Sequence, residues 1–143
     1  MSLADVITGR IRAAIPIDGD KNAFFVAKNP GVVQHVPKTV ATWNGTRAVA
    51  GDNELVATPG AGYRLVVTAF VIQNESTTPV IMRLRSGVTT NGWRCLGQNQ
   101  GDGLAMTFAP DSEWKLNENE PLNLELSDAD TCAVSISYYT EAV

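Results

Sequence analysis

The stretch from Gly62 to Ser86 reads GYRLVVTAFVIQNESTTPVIMRLRS, two β-rich runs separated by a polar turn. In the second run Val80, Met82 and Leu84 alternate with Ile81, Arg83 and Arg85. A period of two marks a strand with one dry face and one wet face. The first run, Tyr63 to Ile72, is apolar at almost every position, so both its faces are expected to be covered. Asn74 to Pro79 is polar and closes on a proline, which cannot donate to a central ladder. The two runs are expected to pair as a central hairpin, with the rest of the C-terminal chain wrapped around it.

That remainder keeps the same rhythm. Asn53 to Thr58 reads as a short strand, and Pro59 to Gly62 as a turn. Asn91-Gly92 is a tight turn leading into Trp93 to Leu96. Leu104, Met106 and Phe108 alternate with Ala105 and Thr107, and Glu113 to Leu116 is a further short strand. Leu122, Leu124 and Leu126 alternate with Asn123 and Glu125. Cys132, Val134, Ile136 and Tyr138 alternate with Ala133, Ser135, Ser137 and Tyr139. About eight short strands at regular intervals predict an all-β fold, a single antiparallel β-sandwich of jelly-roll-like type over residues 50–143. The expected inward set is Leu65, Val67, Val71, Val80, Met82, Leu84, Leu104, Met106, Phe108, Leu122, Leu124, Leu126, Val134, Ile136 and Tyr138.

Residues 1–49 read as an extended N-terminal arm. Pro16, Pro30 and Pro37 break the segment, and Gly9 and Gly19 loosen it. Its apolar content is nevertheless too high for a solvated tail, since Ile11, Ile15, Ile17, Phe24, Phe25, Val32 and Val33 all need cover. Asn44-Gly45 sits between β-formers and predicts a type I′ hairpin at the junction of arm and body.

Charge divides along the same line. Up to Val49 the chain carries six bases and three acids; from Ala50 it carries five bases and twelve acids. A basic arm on an acidic body predicts two different neighbours, an acidic protein surface for the arm and water for the body. Nucleic acid is not an expected partner. Neither is a membrane, because no apolar run approaches the roughly 20 residues that span a bilayer. The first ten residues have neither a basic nor a continuous apolar region, so synthesis and folding in a cytoplasm are expected.

Catalytic chemistry finds little material. His35 is the sole histidine and lies in the Pro-flanked arm, away from any GxSxG motif. Cys95 and Cys132 are the two cysteines; neither belongs to a CxxC. Two buried free thiols are expected, with a disulfide in an oxidising medium as the alternative. Asp128 and Asp130 read as a solvated turn rather than a calcium loop. Glu118 and Glu120 lack the aromatic company of a glycosidase pair. Trp43, Trp93 and Trp114 read as core or interface, with a sugar-stacking platform as the alternative. No catalytic residue, metal or cofactor is expected.

Several motifs follow one another in a fixed order: Gly62-Tyr63-Arg64-Leu65, Met82-Arg83-Leu84-Arg85-Ser86-Gly87, Gly101-Asp102-Gly103-Leu104 and Glu113-Trp114. Glu120-Pro121-Leu122-Asn123-Leu124-Glu125-Leu126-Ser127 comes next, and Ser137-Tyr138-Tyr139 closes the series. In this, residues 50–143 resemble a β-sandwich module of tailed-bacteriophage virion proteins, most like capsid decoration (cement) proteins. The resemblance implies trimers or higher clusters on the capsid exterior, assembled in the host cytoplasm, with the major capsid protein as partner. It implies arms lying across neighbouring coat subunits. Similar modules occur in fibres and receptor-binding or carbohydrate-binding parts of phage heads and tails. The arm here lacks the heptads and collagen-like glycine repeats that fibres commonly carry, which favours the cement reading. Arg10, Ile11, Arg12, Ile15, Ile17, Phe24, Phe25, Val32 and Val33 are the expected capsid-binding residues.

Overall fold

A computed structural model describes residues 38–89 and 92–143. They form nine strands: β1 (Ala41–Arg47), β2 (Gly51–Val56), β3 (Tyr63–Asn74), β4 (Val80–Ser86), β5 (Gly92–Gly97), β6 (Gly103–Thr107), β7 (Trp114–Lys115), β8 (Leu122–Leu126) and β9 (Cys132–Ala142). The pairings are nested. β1 pairs with β9, β2 with β8, β3 with β6 and β7, and β4 with β5, all antiparallel. This is one long ribbon folded back on itself. Rolling the ribbon brings β9 against β3 and β8 against β4. The result is two sheets, β1-β9-β3-β6 with β7 also on β3, and β2-β8-β4-β5. Such a rolled double ribbon is a jelly roll, so the expected antiparallel β-sandwich holds.

The alternating side chains meet between the sheets. Phe70, Ile72 and Ile136 from one sheet face Met82, Leu84, Leu122, Leu124 and Leu126 from the other, each almost wholly buried. Full burial of such a side chain contributes roughly 1.5–3 kcal/mol. The core is therefore the main source of the sandwich's stability.

Several expectations need correction. The two runs of Gly62–Ser86 do not pair with each other: β3 belongs to one sheet and β4 to the other. Asn74 explains the crossing. Its buried side chain donates to Thr78 O at 2.9 Å and Gly97 O at 3.2 Å, and accepts from Ser76 N at 2.8 Å. The polar stretch thus becomes an arch between sheets, held from inside. Val71 is not in the core; it is 44% exposed. A register shift between Val67 and Ala69 inserts Thr68 as a bulge, and one extra residue reverses the parity of everything beyond it. Phe70 and Ile72 therefore turn inward in place of Val71.

Asn44-Gly45 is no hairpin turn. Both residues lie within β1, opposite Ser135 and Val134. A Cβ on Gly45 would stand 2.9 Å from Trp43 Cη2, so the missing side chain makes room for the indole to fold along its own strand. β1 pairs with β9 from residue 41, so the sandwich begins before the expected boundary at 49/50.

Candidate interaction surface

The two sheets present very different outer faces. On the first sheet Thr42, Asn44 and Thr46 of β1 stand beside Ser137, Ser135 and Ala133 of β9. Next come Ala69, Val71 and Gln73 of β3, then Thr107, Ala105 and Gly103 of β6. This part of the face is uncharged and built from small side chains. A shallow groove of about 190 Å³ runs along it, lined by residues that include Ala69, Val71, Ala105, Thr107, Ser135 and Ser137. Depletion of charge is one mark of the centre of a protein interface.

The other sheet is charged. Asp52, Glu125, Arg83 and Arg94 are successive partners across its four strands, two acids followed by two bases. Arg83 pairs with Glu125 at 2.9 Å. Arg85 reaches diagonally to Asp52, with Nε to Oδ1 at 3.0 Å and Nη2 to Oδ2 at 2.5 Å. The bond to Asp52 raises the Arg85 guanidinium further above its ordinary range.

Beyond the uncharged zone the first sheet carries two ionic clusters. Lys38 Nζ donates to Tyr139 OH at 2.6 Å and to Glu113 Oε1 at 3.2 Å, and lies 4.4 Å from the Tyr139 ring centroid. The bond to Tyr139, then that to Glu113, raises the Lys38 ammonium above its ordinary value. Glu113's own backbone N–H, and then Lys38, hold its carboxyl below the usual range. Glu113 Oε2 is buried with no hydrogen-bond partner among the described residues. Nearby, burial pushes the Glu141 carboxyl up, but bonds from Arg64 and Lys115 outweigh it and leave the group lowered.

The expected capsid-binding residues Arg10, Ile11, Arg12, Ile15, Ile17, Phe24, Phe25, Val32 and Val33 lie outside the described residues, as do His35 and Asn91. The aromatic side chains considered for sugar stacking are otherwise engaged. Phe70 gathers Trp93, Phe108 and Trp114 at centroid distances of 6.1, 6.2 and 6.5 Å, and Trp93 and Trp114 pack against the core. Trp43 also packs there, beneath the Arg47 guanidinium at 4.6 Å. Tyr139 is 4% exposed. The acids considered for chemistry serve as local ties. Asp130 accepts from Ser76 Oγ, Asp128 from Ser127 Oγ, and Glu118 from Gly62 N. No group of three or more metal-ligating side chains occurs among the described residues.

Cys95 and Cys132 are free thiols. Burial first, then Asp130, pushes Cys132 up to about 11, and burial raises Cys95. Neither is poised as a nucleophile.

The uncharged outer face was not anticipated from the sequence. Its signal was nevertheless there: around Val71 the outward positions of the four strands are Thr, Asn, Ser, Ala, Val, Gln or Gly, never Lys, Arg, Asp or Glu. Recognising it required knowing which strands are neighbours. No protein-family model matches the chain, and no curated protein matches its sequence. Among solved structures it is similar to the cryo-EM structure of the virus-like particle of giant freshwater prawn Macrobrachium rosenbergii extra small virus. The TM-score is 0.37 at 6% identity, over 80% of this chain and 87% of that one. A likeness at that score carries no functional argument.

Proposed function

We propose that this chain is a non-catalytic structural protein of a virus particle, a decoration (cement) protein that binds the outer surface of an icosahedral phage capsid and stabilises it. The uncharged face of small side chains on the first sheet supports this reading. It forms a shallowly grooved platform whose desolvation strands no ion. The platform lacks large aromatic anchors, and the arm contains them: Phe24 and Phe25, with Ile11, Ile15, Ile17, Val32 and Val33. These apolar groups would be buried on neighbouring coat subunits, while Arg10, Arg12, Lys21 and Lys28 meet acidic groups there. Such charge pairing sets orientation and encounter rate more than affinity. Several copies acting together would add avidity.

The test is co-sedimentation of the full-length chain with purified capsids that lack it. Wild type is expected to saturate the shell at hundreds of copies per particle. A variant carrying Phe24→Asp and Phe25→Asp is expected to stay in the supernatant. Equal binding by both proteins would overturn the proposal, and a handful of copies per particle would assign the chain to a fibre or connector.

A further inference from the structure

Asn44-Gly45 goes against the preferences of its own strand. Both residue types are depleted in strands, yet the pair sits in the middle of β1. Packing accounts for the glycine, because the Trp43 indole occupies the space that a Cβ would need. Packing does not account for Asn44. It stands outward and exposed on the uncharged face, between Thr42 and Thr46, with Ser135 Oγ donating to its Oδ1 at 2.6 Å. A third threonine would suit such a position better.

An asparagine followed by glycine carries a reaction that bulkier neighbours hinder, since a residue without Cβ lets its backbone nitrogen approach the amide. The Gly45 nitrogen attacks Asn44 Cγ. A C–N bond forms, the Cγ–Nδ2 bond breaks, and ammonia leaves with the proton of the Gly45 N–H. Water then opens the five-membered imide at either carbonyl, leaving aspartate or isoaspartate. Ring closure requires the Asn44 side chain to fold back on its own backbone and the chain to leave its extended path. The β1–β9 ladder opposes the second movement, and the Ser135 hydroxyl, drawing the amide oxygen toward β9, opposes the first. β1 is an edge, paired with β9 alone among the described residues. Segments with few partners open locally at less cost than a core does.

We infer that Asn44-Gly45 is a deamidation site gated by β1, closed while the strand pairs with β9 and open when the edge detaches. The product sets a carboxylate on the uncharged face. As isoaspartate it also lengthens the backbone by one atom, which the β1–β9 ladder cannot match. Chains whose edge opens before they reach a particle would thereby lose their docking face. That consequence rests on the capsid reading; the chemistry does not.

Trypsin cuts after Lys38 and Arg47 and releases Thr39–Arg47, in which Asn44 is the sole amide side chain. Mass spectrometry of this peptide, after timed incubation of the full-length chain in mildly alkaline buffer with and without urea, follows the change from amide to acid. Deamidation is expected in both, at least about tenfold slower in the folded chain, where it waits for local opening. Ser135→Ala should speed the folded reaction and leave the rate in urea unchanged. Equal rates with and without urea, no deamidation of the folded chain over days, or a folded rate indifferent to Ser135→Ala overturns the gate. In co-sedimentation Asn44→Asp, whose carboxylate still accepts from Ser135 Oγ, should melt like wild type and bind capsids more weakly. Equal binding by the two overturns the docking consequence, whereas failure of wild type itself to bind counts against the capsid reading and leaves the mass-spectrometric result standing.

Discussion

Lys38 ties together two side chains from distant parts of the chain, Glu113 and Tyr139. Its ammonium holds the Tyr139 hydroxyl and one Glu113 oxygen, while the other Glu113 oxygen is buried without a hydrogen-bond partner among the described residues. The linkage to pH has two limits. Glu113 is lowered, so its contribution is complete above the ordinary value of 4.5 and is lost as pH falls through the folded value. Lys38 is raised, so its contribution is complete below the ordinary value of 10.5 and is lost as pH rises through the folded value. A Lys38→Met variant should therefore be less stable than wild type at neutral pH, with the gap narrowing at about pH 3. Urea midpoints at the two pH values measure this; a gap that is equal at both would show that the contact contributes nothing ionic. A second tie joins distant motifs. Ser86 Oγ donates to Glu120 Oε2 and accepts from Asn117 N, and Asn123 Nδ2 donates to Gly87 O at 2.9 Å. The Ser-Gly and the Glu-x-Leu-Asn motifs, apart in sequence, thus bind each other in space.

At the level of elements, close approach of backbones sets the demand for glycine. A Cβ on Gly103 would lie 2.1 Å from the carbonyl oxygen of Ile72, inside the β3–β6 pairing. Relief would require the strands to separate. Gly103→Ala is expected to lower stability by about 3 kcal/mol, at the upper end for overpacking. A urea midpoint equal to that of wild type would mean that the strands do not approach so closely. The contrast between Gly103 and Gly45 shows which parts of the fold were legible. Strand existence was readable, because β4, β8 and β9 alternate strictly and a period of two needs no partner to be seen. The face of each residue was readable until Thr68. Its bulge is a local event with no mark in the pattern, and it misassigned Val71. Partnership was not readable. Asn74–Pro79 has the composition of a hairpin turn, and only the hydrogen bonds of the buried Asn74 side chain reveal that it bridges two sheets. Asn-Gly in β1 failed for a related reason: glycine served an indole rather than a turn. The uncharged face fell into the same gap, since its strands are distant in sequence.

The described residues form a rolled ribbon in which β1 and β9 pair, and rolling gives each sheet one face to the core and one to the outside. Charge sorts between those outer faces. The second sheet carries Asp52, Glu54, Glu125, Arg83, Arg85 and Arg94, whereas the region of the first around Val71 carries none. Solubility alone would not require the difference; docking of one face would. Ala105 and Ser135 flank Val71 in a single cross-strand row and point outward. Replacing both with arginine should leave the fold intact, because outward substitutions away from special features usually change stability within about 0.5 kcal/mol. On a docked face, the same pair of guanidinium groups would have to be desolvated without partners, a penalty far larger than a rim contact returns. The double variant should therefore melt like wild type yet be lost from capsids in co-sedimentation. Wild-type melting with undiminished capsid binding would remove this face from the contact and leave the arm to carry it alone.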